Sequence, residues 1–167
     1  MGNAAVQIAR SMGVTVVGTA GTKDGMEVVL KCGVSNTRSD LLLYESQSFF
    51  FHFQAHHVFN HNHKSYEKKM VEMLGGEGFD VIIEHLANIN LGHDVQMLKN
   101  GARIMVVGCR GSVNINPRHL MLPEASIQGV ALNNSTPAEY KQMGRGKINY
   151  HKVFKNQQEL IFKHCLS

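Results

Sequence analysis

The sequence lacks any long run of apolar residues and contains few cysteines. No stretch approaches the ~20 consecutive apolar residues that a membrane-spanning helix needs, and the opening residues, MGNAAV, contain no charged and then apolar leader. The three cysteines, Cys32, Cys109 and Cys165, are odd in number and widely spaced. This pattern argues against a disulfide framework and for a reducing compartment. We therefore expect a cytoplasmic protein that does not associate with membranes.

Excess positive charge is confined to one end of the chain. The net charge is +4 at pH 7. Residues 1–144 contain 12 basic and 12 acidic residues, whereas residues 145–167 contain five basic residues and one acidic residue. A basic end is more often a solvated segment than a surface that binds nucleic acid. We therefore expect residues 145–167 to be a solvated basic tail.

The middle of the chain has the pattern of a strand, a crossover helix and a second strand. Val81–Ile83 and Ile104–Val107 are apolar runs too short for helices. Between them, apolar residues recur at roughly helical spacing over Leu91–Leu98, and Asn100–Gly101 is typical of a helix C-cap. Such a unit builds a parallel sheet with helices on its faces. Ligands of these sheets bind at the carboxyl ends of the strands, so we expect the site there.

The rest of residues 1–144 continues this alternation of helices and strands. Thr22 and Thr136 are predicted helix N-caps, the second followed by proline at the first helical position. The pattern predicts a partial Rossmann-like, doubly wound parallel sheet. Because the series begins with a helix, we expect the sheet to lack its first, central strand. Further helices are predicted at Asn3–Met12, Lys23–Cys32, Lys64–Leu74 and from Pro137, and further strands at Thr15–Gly18, His57–His61 and Ser126–Leu132.

The end of the second strand of such a fold indicates which cofactor it binds. In NAD-binding members an Asp or Glu there binds the ribose 2′-hydroxyl. Here the strand is followed by Thr19-Ala20-Gly21, with no acidic residue, and then by Lys23. The missing carboxylate leaves room for a 2′-phosphate and a nearby cation favours it, so we predict NADP(H). The alternative is that Thr22 only caps a helix and Lys23 is a solvated residue of its first turn.

Five stretches of the sequence match the motifs of a known family. They are GNAAVQIARSMGVTVVGTAGTKDG, HHVFNH, FDVIIEHLANINL, GARIMVVGCRGSVNINPR and SIQGVALNNSTPAEYKQM. They resemble the zeta-crystallin branch of the medium-chain dehydrogenase/reductase superfamily, the NADPH:quinone oxidoreductases. The resemblance implies that residues 1–144 are a partial NADP-binding Rossmann domain. It also implies an enzyme that passes reducing equivalents from NADPH to quinones, and a homo-oligomer in full-length members.

The resemblance also implies which residues contact the cofactor. Gly2 matches the end of the glycine-rich phosphate loop, and His61 would lie near the adenosine ribose and phosphate. Asn90 and Val107–Arg110 would face the pyrophosphate and nicotinamide. The alternatives are that Asn90 caps a helix beginning near Leu91 and that Arg110 is a surface residue. The complete predicted set of cofactor contacts is Gly2, Gly21, Lys23, His61, Asn90, Val107, Gly108, Cys109 and Arg110.

No catalytic or metal-binding residue is predicted. The histidines of the central part of the chain lie partly in a loop and partly in a strand, whereas zinc sites favour tighter Cys and His pairs. The resembled branch is also understood to lack the catalytic zinc of its relatives. Cys109 has no neighbouring base in the sequence, so we interpret it as a packed thiol. The histidines concerned are His52, His56, His57, His61 and His63.

Residues 34–54 interrupt the resemblance. Without them Gly33 joins Ala55, and the family's sequence reads on continuously. The Val-Ser at their start fits a splice donor sequence, and the phenylalanine-rich end closing in Phe-Gln fits a pyrimidine tract and splice acceptor. Our hypothesis is a retained intron; the alternative is a true surface-loop insertion.

The resembled branch has features that this chain does not match, and these limit the expected activity. The first strand, most of the phosphate loop and the catalytic domain of the family have no counterpart here, so we expect the chain to be inactive alone. Two alternatives to the oxidoreductase function stay open. One is binding of AU-rich RNA, which the resembled branch is known for, and the other is a non-functional splice product.

Overall fold

The computed structural model describes residues 2–11, 13–31, 57–144 and 159–163, in which helices and strands alternate. The segment 34–54 and residues 145–158 lie outside this part of the chain. None of the described helices is both long and apolar enough to cross a membrane. The elements are α1 (Gly2–Ser11), β1 (Thr15–Ala20), α2 (Lys23–Lys31), β2 (His57–Asn60), α3 (Tyr66–Met73), β3 (Phe79–Glu84), α4 (Ala87–Asp94), β4 (Leu98–Val106), α5 (Arg118–Met121), β5 (Ser126–Gly129), a 3₁₀ turn (Leu132–Asn134), α6 (Pro137–Gly144) and β6 (Glu159–Lys163).

The strands form one parallel sheet in the order β2-β1-β6-β3-β4-β5. A doubly wound dinucleotide-binding sheet has its first strand at the centre, flanked by the second on one side and the fourth on the other. The observed order matches that arrangement with β6 in the place of the first strand. The predicted parallel α/β fold is confirmed, and within the described residues no strand precedes α1.

The place of the central strand is filled by the end of the chain. Glu159–Lys163 pairs with β1 on one side and with β3 on the other, and Ile161 is in register with both Val17 and Ile82. The expectation that all of residues 145–167 are solvated is therefore wrong for these five residues. The physical reason is their composition, since the central triplet Leu-Ile-Phe is apolar and suits a strand covered on both faces.

Two apolar clusters cover the two faces of the sheet. One packs α1 and α2 against β1 and β3, and the other packs α3 and α4 against β1, β3 and β4. Because successive residues of a strand point to opposite faces, Val16 and Val17 belong to different clusters, and so do Val81 and Ile82. The sheet is thus buried on both faces, as parallel sheets usually are.

The crossover helix between β3 and β4 differs from the prediction. It ends at Asp94, and Asn100–Gly101, which was predicted to cap it, lies in β4. Gly101 has a φ of 73°, a conformation that glycine adopts without steric cost. The pairing of β3 with β4 shifts between Leu98 and Arg103. The glycine therefore permits an irregularity within a strand and does not end a helix.

Both predicted N-caps are confirmed. Thr22 Oγ1 accepts a hydrogen bond of 3.0 Å from the backbone N–H of Gly25. At the start of α6, Glu139 N donates to Thr136 Oγ1 at 3.3 Å, and Thr136 N donates to Glu139 Oε2 at 2.6 Å. These reciprocal bonds form a capping box, and the backbone bond from Thr136 lowers the pKa of the Glu139 carboxyl.

The burial of β3 leads to a stability prediction. Ile82 is fully buried, whereas Ile89 on α4 is 59% exposed. Ile82→Ala leaves a cavity in the core and should lower the free energy of unfolding by about 2–5 kcal/mol. Ile89→Ala is the matched control and should change it by about 0.5 kcal/mol or less. Urea denaturation of both variants measures the difference, and equal effects would contradict the assignment of Ile82 to the core.

Candidate functional site

The carboxyl ends of the six parallel strands form one edge of the sheet, which we call the carboxyl edge. The segments that follow β1, β2, β3 and β4 all emerge there. Helix α1 leads back to the start of β1 through a turn at Gly13, so its first residue, Gly2, also lies at this edge. Open α/β sheets bind ligands at this edge. It brings together all the predicted contact residues, and those other than Gly2 form two clusters on either side of β6.

The first group, the β1–β2 cluster, consists of Gly21, Lys23, His61 and Asn62. The backbone N–H of His61 donates to the Ala20 carbonyl at 3.2 Å. The side-chain amide of Asn62 donates to the Gly21 carbonyl at 2.9 Å. A Cβ added at Gly21 would lie 2.7 Å from His61 Nε2 and 3.0 Å from Asn62 Nδ2. Glycine at this position therefore lets the two strand ends approach each other.

The charged residues that follow the end of β1 are Lys23 and Asp24, which have opposite signs. No acidic residue lies between the end of β1 and Lys23, which is exposed in the first turn of α2 beside the exposed Asp24. Thr22 caps this helix, as the structural alternative predicted. Capping by Thr22 leaves the Lys23 side chain at the surface. The arrangement is thus compatible with both interpretations of Lys23, as a ligand contact and as a solvated residue.

The second group, the β3–β4 cluster, consists of Asn88, Asn90, Val107, Gly108, Cys109 and Arg110. The backbone N–H groups of Val107 and Gly108 both donate to the Glu84 carbonyl, at 2.8 and 3.3 Å, and the Ala87 N–H donates to the Gly108 carbonyl at 3.0 Å. A Cβ at Gly108 would lie 2.3 Å from the His85 carbonyl oxygen. The absence of a side chain at Gly108 therefore allows the segments that follow β3 and β4 to lie in contact.

Asn90 holds a buried carboxylate in this cluster. Its side-chain amide donates to both oxygens of Glu84, at 3.1 and 3.2 Å, and the backbone N–H of Leu86 donates to Glu84 Oε1. Glu84 is fully buried and Asn90 is 6% exposed. Asn90 lies inside α4, so the alternative that it caps a helix beginning near Leu91 is wrong. Its observed role is to position the turn between β3 and α4.

Cys109 and Arg110 lie at the exposed tip of the β3–β4 cluster. The Arg110 backbone N–H donates to Asn88 Oδ1 at 2.9 Å, which joins the loop after β4 to α4. The Cys109 thiol donates to the Gly111 carbonyl at 3.0 Å and is exposed, so the prediction of a packed thiol is wrong. It is exposed because no element covers the loop at this point of the described structure.

The histidines do not form a metal site in the described part of the chain. His57 begins β2 and His61 follows it, and His52 and His56 lie outside the described residues. Over the described ranges, no group of three or more His, Cys, Asp or Glu side chains could hold a metal ion.

The predicted set of cofactor contacts does not include three residues that organise the carboxyl edge, Asn62, Glu84 and Asn88. Asn62 hydrogen-bonds to the backbone of Gly21, and Asn88 to the backbone of Arg110; both partners are predicted cofactor contacts. The Glu84 carboxylate accepts a hydrogen bond from the side-chain amide of Asn90, a third predicted contact. A charged residue closing an apolar strand, as Glu84 does, is a signal that could have identified it. The two asparagines carry no such signal, because their partners are far away in the sequence.

Comparison with known proteins supports the resemblance found in the motifs. The profile of the family described as zinc-binding dehydrogenase matches residues 1–145. The quinone oxidoreductase of Sus scrofa is 43% identical over 143 residues, and that of Rattus norvegicus 44% over 142 residues. These alignments cover 86% and 85% of this chain. They cover 37% of each relative, so the chain spans little more than a third of the relatives' length.

Solved structures share the fold. The nucleotide-binding subdomain of the enoylreductase domain of PpsC from Mycobacterium tuberculosis has a TM-score of 0.63 at 23% identity, covering 95% of this chain and 79% of that one. A mycobacterial protein solved in complex with NADPH has a TM-score of 0.66 at 14% identity, covering 90% of this chain and 42% of the other. At such identities the likeness shows the fold alone. The family match and the quinone oxidoreductase relatives, by contrast, show that this chain belongs to the zinc-binding dehydrogenase family of the medium-chain dehydrogenase/reductase superfamily.

Proposed function

We propose that this chain binds NADPH at the carboxyl edge and is the cofactor-binding part of a quinone oxidoreductase. The curated relatives are quinone oxidoreductases, and one solved structure of the same fold holds NADPH. NADPH, when bound, supplies the hydride that reduces the quinone. The residues of this chain bind and orient the dinucleotide. The observation that carries the proposal is the convergence of the two clusters on one edge of a parallel sheet.

The β1–β2 cluster supports a cofactor with a 2′-phosphate. A carboxylate at the end of β1 would repel this phosphate, and none lies between Ala20 and Lys23. Lys23 is exposed in the first turn of α2, where the partial positive charge of the helix N-terminus also favours an anion. We therefore infer NADP(H) and not NAD(H). His61, next to Gly21, would contact the adenosine ribose and phosphate.

The β3–β4 cluster supports the pyrophosphate and nicotinamide half. Gly108 keeps the loop after β4 close to the turn after β3, and Asn88 fixes the backbone at Arg110. This gives Val107–Arg110 a defined backbone conformation from which to contact the cofactor. Because Asn90 is buried against Glu84, we assign it a positioning role in addition to the predicted contact.

The other predictions about this chain have less support. RNA binding was predicted as an alternative, and no contact among the described residues favours it. A homo-oligomer, a cytoplasmic location and the interpretation as a non-functional splice product likewise stay predictions. A gel-shift assay with AU-rich RNA, in the presence and absence of NADPH, tests the first, since binding in the cofactor cleft would be competitive.

Charge reversal at Lys23 tests the choice of cofactor. Lys23→Glu should weaken NADPH binding about tenfold, or about 1.4 kcal/mol, because the carboxylate would repel the 2′-phosphate. Affinity for NADH should change less than about twofold, which is below 0.5 kcal/mol. Lys141→Glu, an identical change on α6, is the control and should alter neither affinity. Titration calorimetry measures all of these, and equal losses for the two cofactors would contradict the 2′-phosphate assignment.

A methyl group at Gly108 tests the β3–β4 cluster. In Gly108→Ala the new Cβ would meet the His85 carbonyl oxygen, so the two segments must move apart. We expect overpacking to cost about 1–3 kcal/mol of stability, together with at least about tenfold weaker NADPH binding. Gly129→Ala is the matched control, because a Cβ there would meet no atom within 4 Å. NADPH affinity equal in the two variants would contradict the assignment of this cluster to the cofactor.

We expect this chain to bind NADPH without catalysing quinone reduction. The clusters hold groups that bind and orient a dinucleotide, and no catalytic residue is predicted in them. We expect the purified 167-residue chain to bind NADPH but to leave an ortho-quinone unreduced. The absorbance of NADPH, followed with and without the protein, measures turnover. A rate above the protein-free blank would show that this prediction is wrong.

A further inference from the structure

The centre of the sheet is a slot that only a strand can fill. Strands β1 and β3 do not pair with each other, and each pairs with β6. Without β6, the backbone N–H and C=O groups of β1 and β3 that face the slot would have no strand to pair with. They would also be shielded from water, because helices cover both faces of the sheet. Unpaired backbone groups that are buried are strongly unfavourable. The slot therefore requires an occupant that pairs on both sides.

The residues that flank the slot define what the occupant must be. Position 160 lies in register between Val16 and Val81, and position 161 between Val17 and Ile82. These four flanking residues are at most 1% exposed, and they belong to the clusters on the two opposite faces. A strand with adjacent apolar residues therefore fits, and an amphipathic strand does not.

The end of this sequence meets that requirement. Positions 160–162 are Leu, Ile and Phe, and charged residues stand at 159 and 163, where pairing continues on one side only. The apolar triplet thus coincides with the three positions that pair with both neighbours. The strand lies in the part of the chain beyond the family match, which ends at residue 145.

We propose that Glu159–Lys163, in the central position that the first strand takes in the dinucleotide-binding fold, holds the two halves of the candidate site together. The β1–β2 cluster lies on one side of β6 and the β3–β4 cluster on the other. Their relative position is set by the two ladders that β6 forms. Helix α1, which begins at the same edge, also packs against both β1 and β6. The statement about the clusters rests on the proposed function, whereas the central position of β6 does not.

The strand β6 can reach the slot of its own chain. Residues 145–158 connect α6 to β6 and number 14. A fully extended segment of this length reaches about 46–50 Å. The slot lies three strands away from β5, a separation of about 14 Å at the usual strand spacing. The connection is therefore long enough for β6 to enter the slot of its own chain, and no second copy is needed.

A cysteine pair tests the position of β6 directly. Val81 and Leu160 are in register, so their Cα atoms should be within the range that a disulfide allows. In a chain whose three native cysteines are replaced by serine, Val81→Cys with Leu160→Cys should form an intramolecular disulfide on treatment with diamide. The control pair, Val81→Cys with Ile161→Cys, places the second cysteine on the opposite face and should not. Absence of the first cross-link, or a cross-link between two chains only, would overturn the proposal.

A substitution within β6 tests its effect on the sheet and on the site. Ile161→Pro removes a backbone donor from a central strand and should lower Tm by about 6–12 °C relative to Ile161→Val. NADPH affinity should fall at least about tenfold in the same comparison. An unchanged Tm would overturn the role of the strand. If the unsubstituted chain itself fails to bind NADPH, the proposed function is wrong, and the cross-link and Tm still decide whether β6 is the central strand of the sheet.

Discussion

The pairing of β6 with both β1 and β3 is the interaction on which the rest of the structure depends. In the strand order of the described sheet, this pairing joins the β2-β1 half to the β3-β4-β5 half. The helices add apolar contacts that cross this junction, since Val81 packs in the same cluster as α1 residues and Val17 in the same cluster as Ile82. The backbone ladders set the register, and the two apolar clusters bury the faces. Together they create one carboxyl edge.

The functional proposal follows from that edge and not from any single residue. Each cluster is built mainly from backbone contacts that small residues permit. Gly21 lets His61 approach, and Gly108 lets the turn after β3 approach the loop after β4. The side chain of Asn90, a predicted cofactor contact, also fixes the turn after β3 through its bonds to Glu84. The site thus combines exposed polar groups with a rigid, buried support.

Local features of the sequence predicted much of the fold, and long-range contacts were beyond it. The strands, α2 with its Thr22 cap and the capping box at Thr136 follow from periodicity and cap chemistry within a few residues. Asn100–Gly101 was assigned wrongly because the same dipeptide suits a helix end and an irregular strand. The strand at Glu159–Lys163 was missed because five residues carry no information about which distant strands will flank them. The sequence predicted that the contact residues lie at one edge of the sheet. It did not reveal the hydrogen bonds between Asn90 and Glu84.

Hydrogen–deuterium exchange of the purified chain, followed by mass spectrometry, tests the central claim most directly. If β6 is the central strand, the amides of residues 160–162, which lie in ladders on both sides, should exchange as slowly as those of β3. Adding NADPH should then slow exchange further in the segments around Gly21 and Gly108. Exchange of residues 160–162 at the rate of an unstructured peptide would contradict the account, because the two halves of the sheet would then have no strand between them.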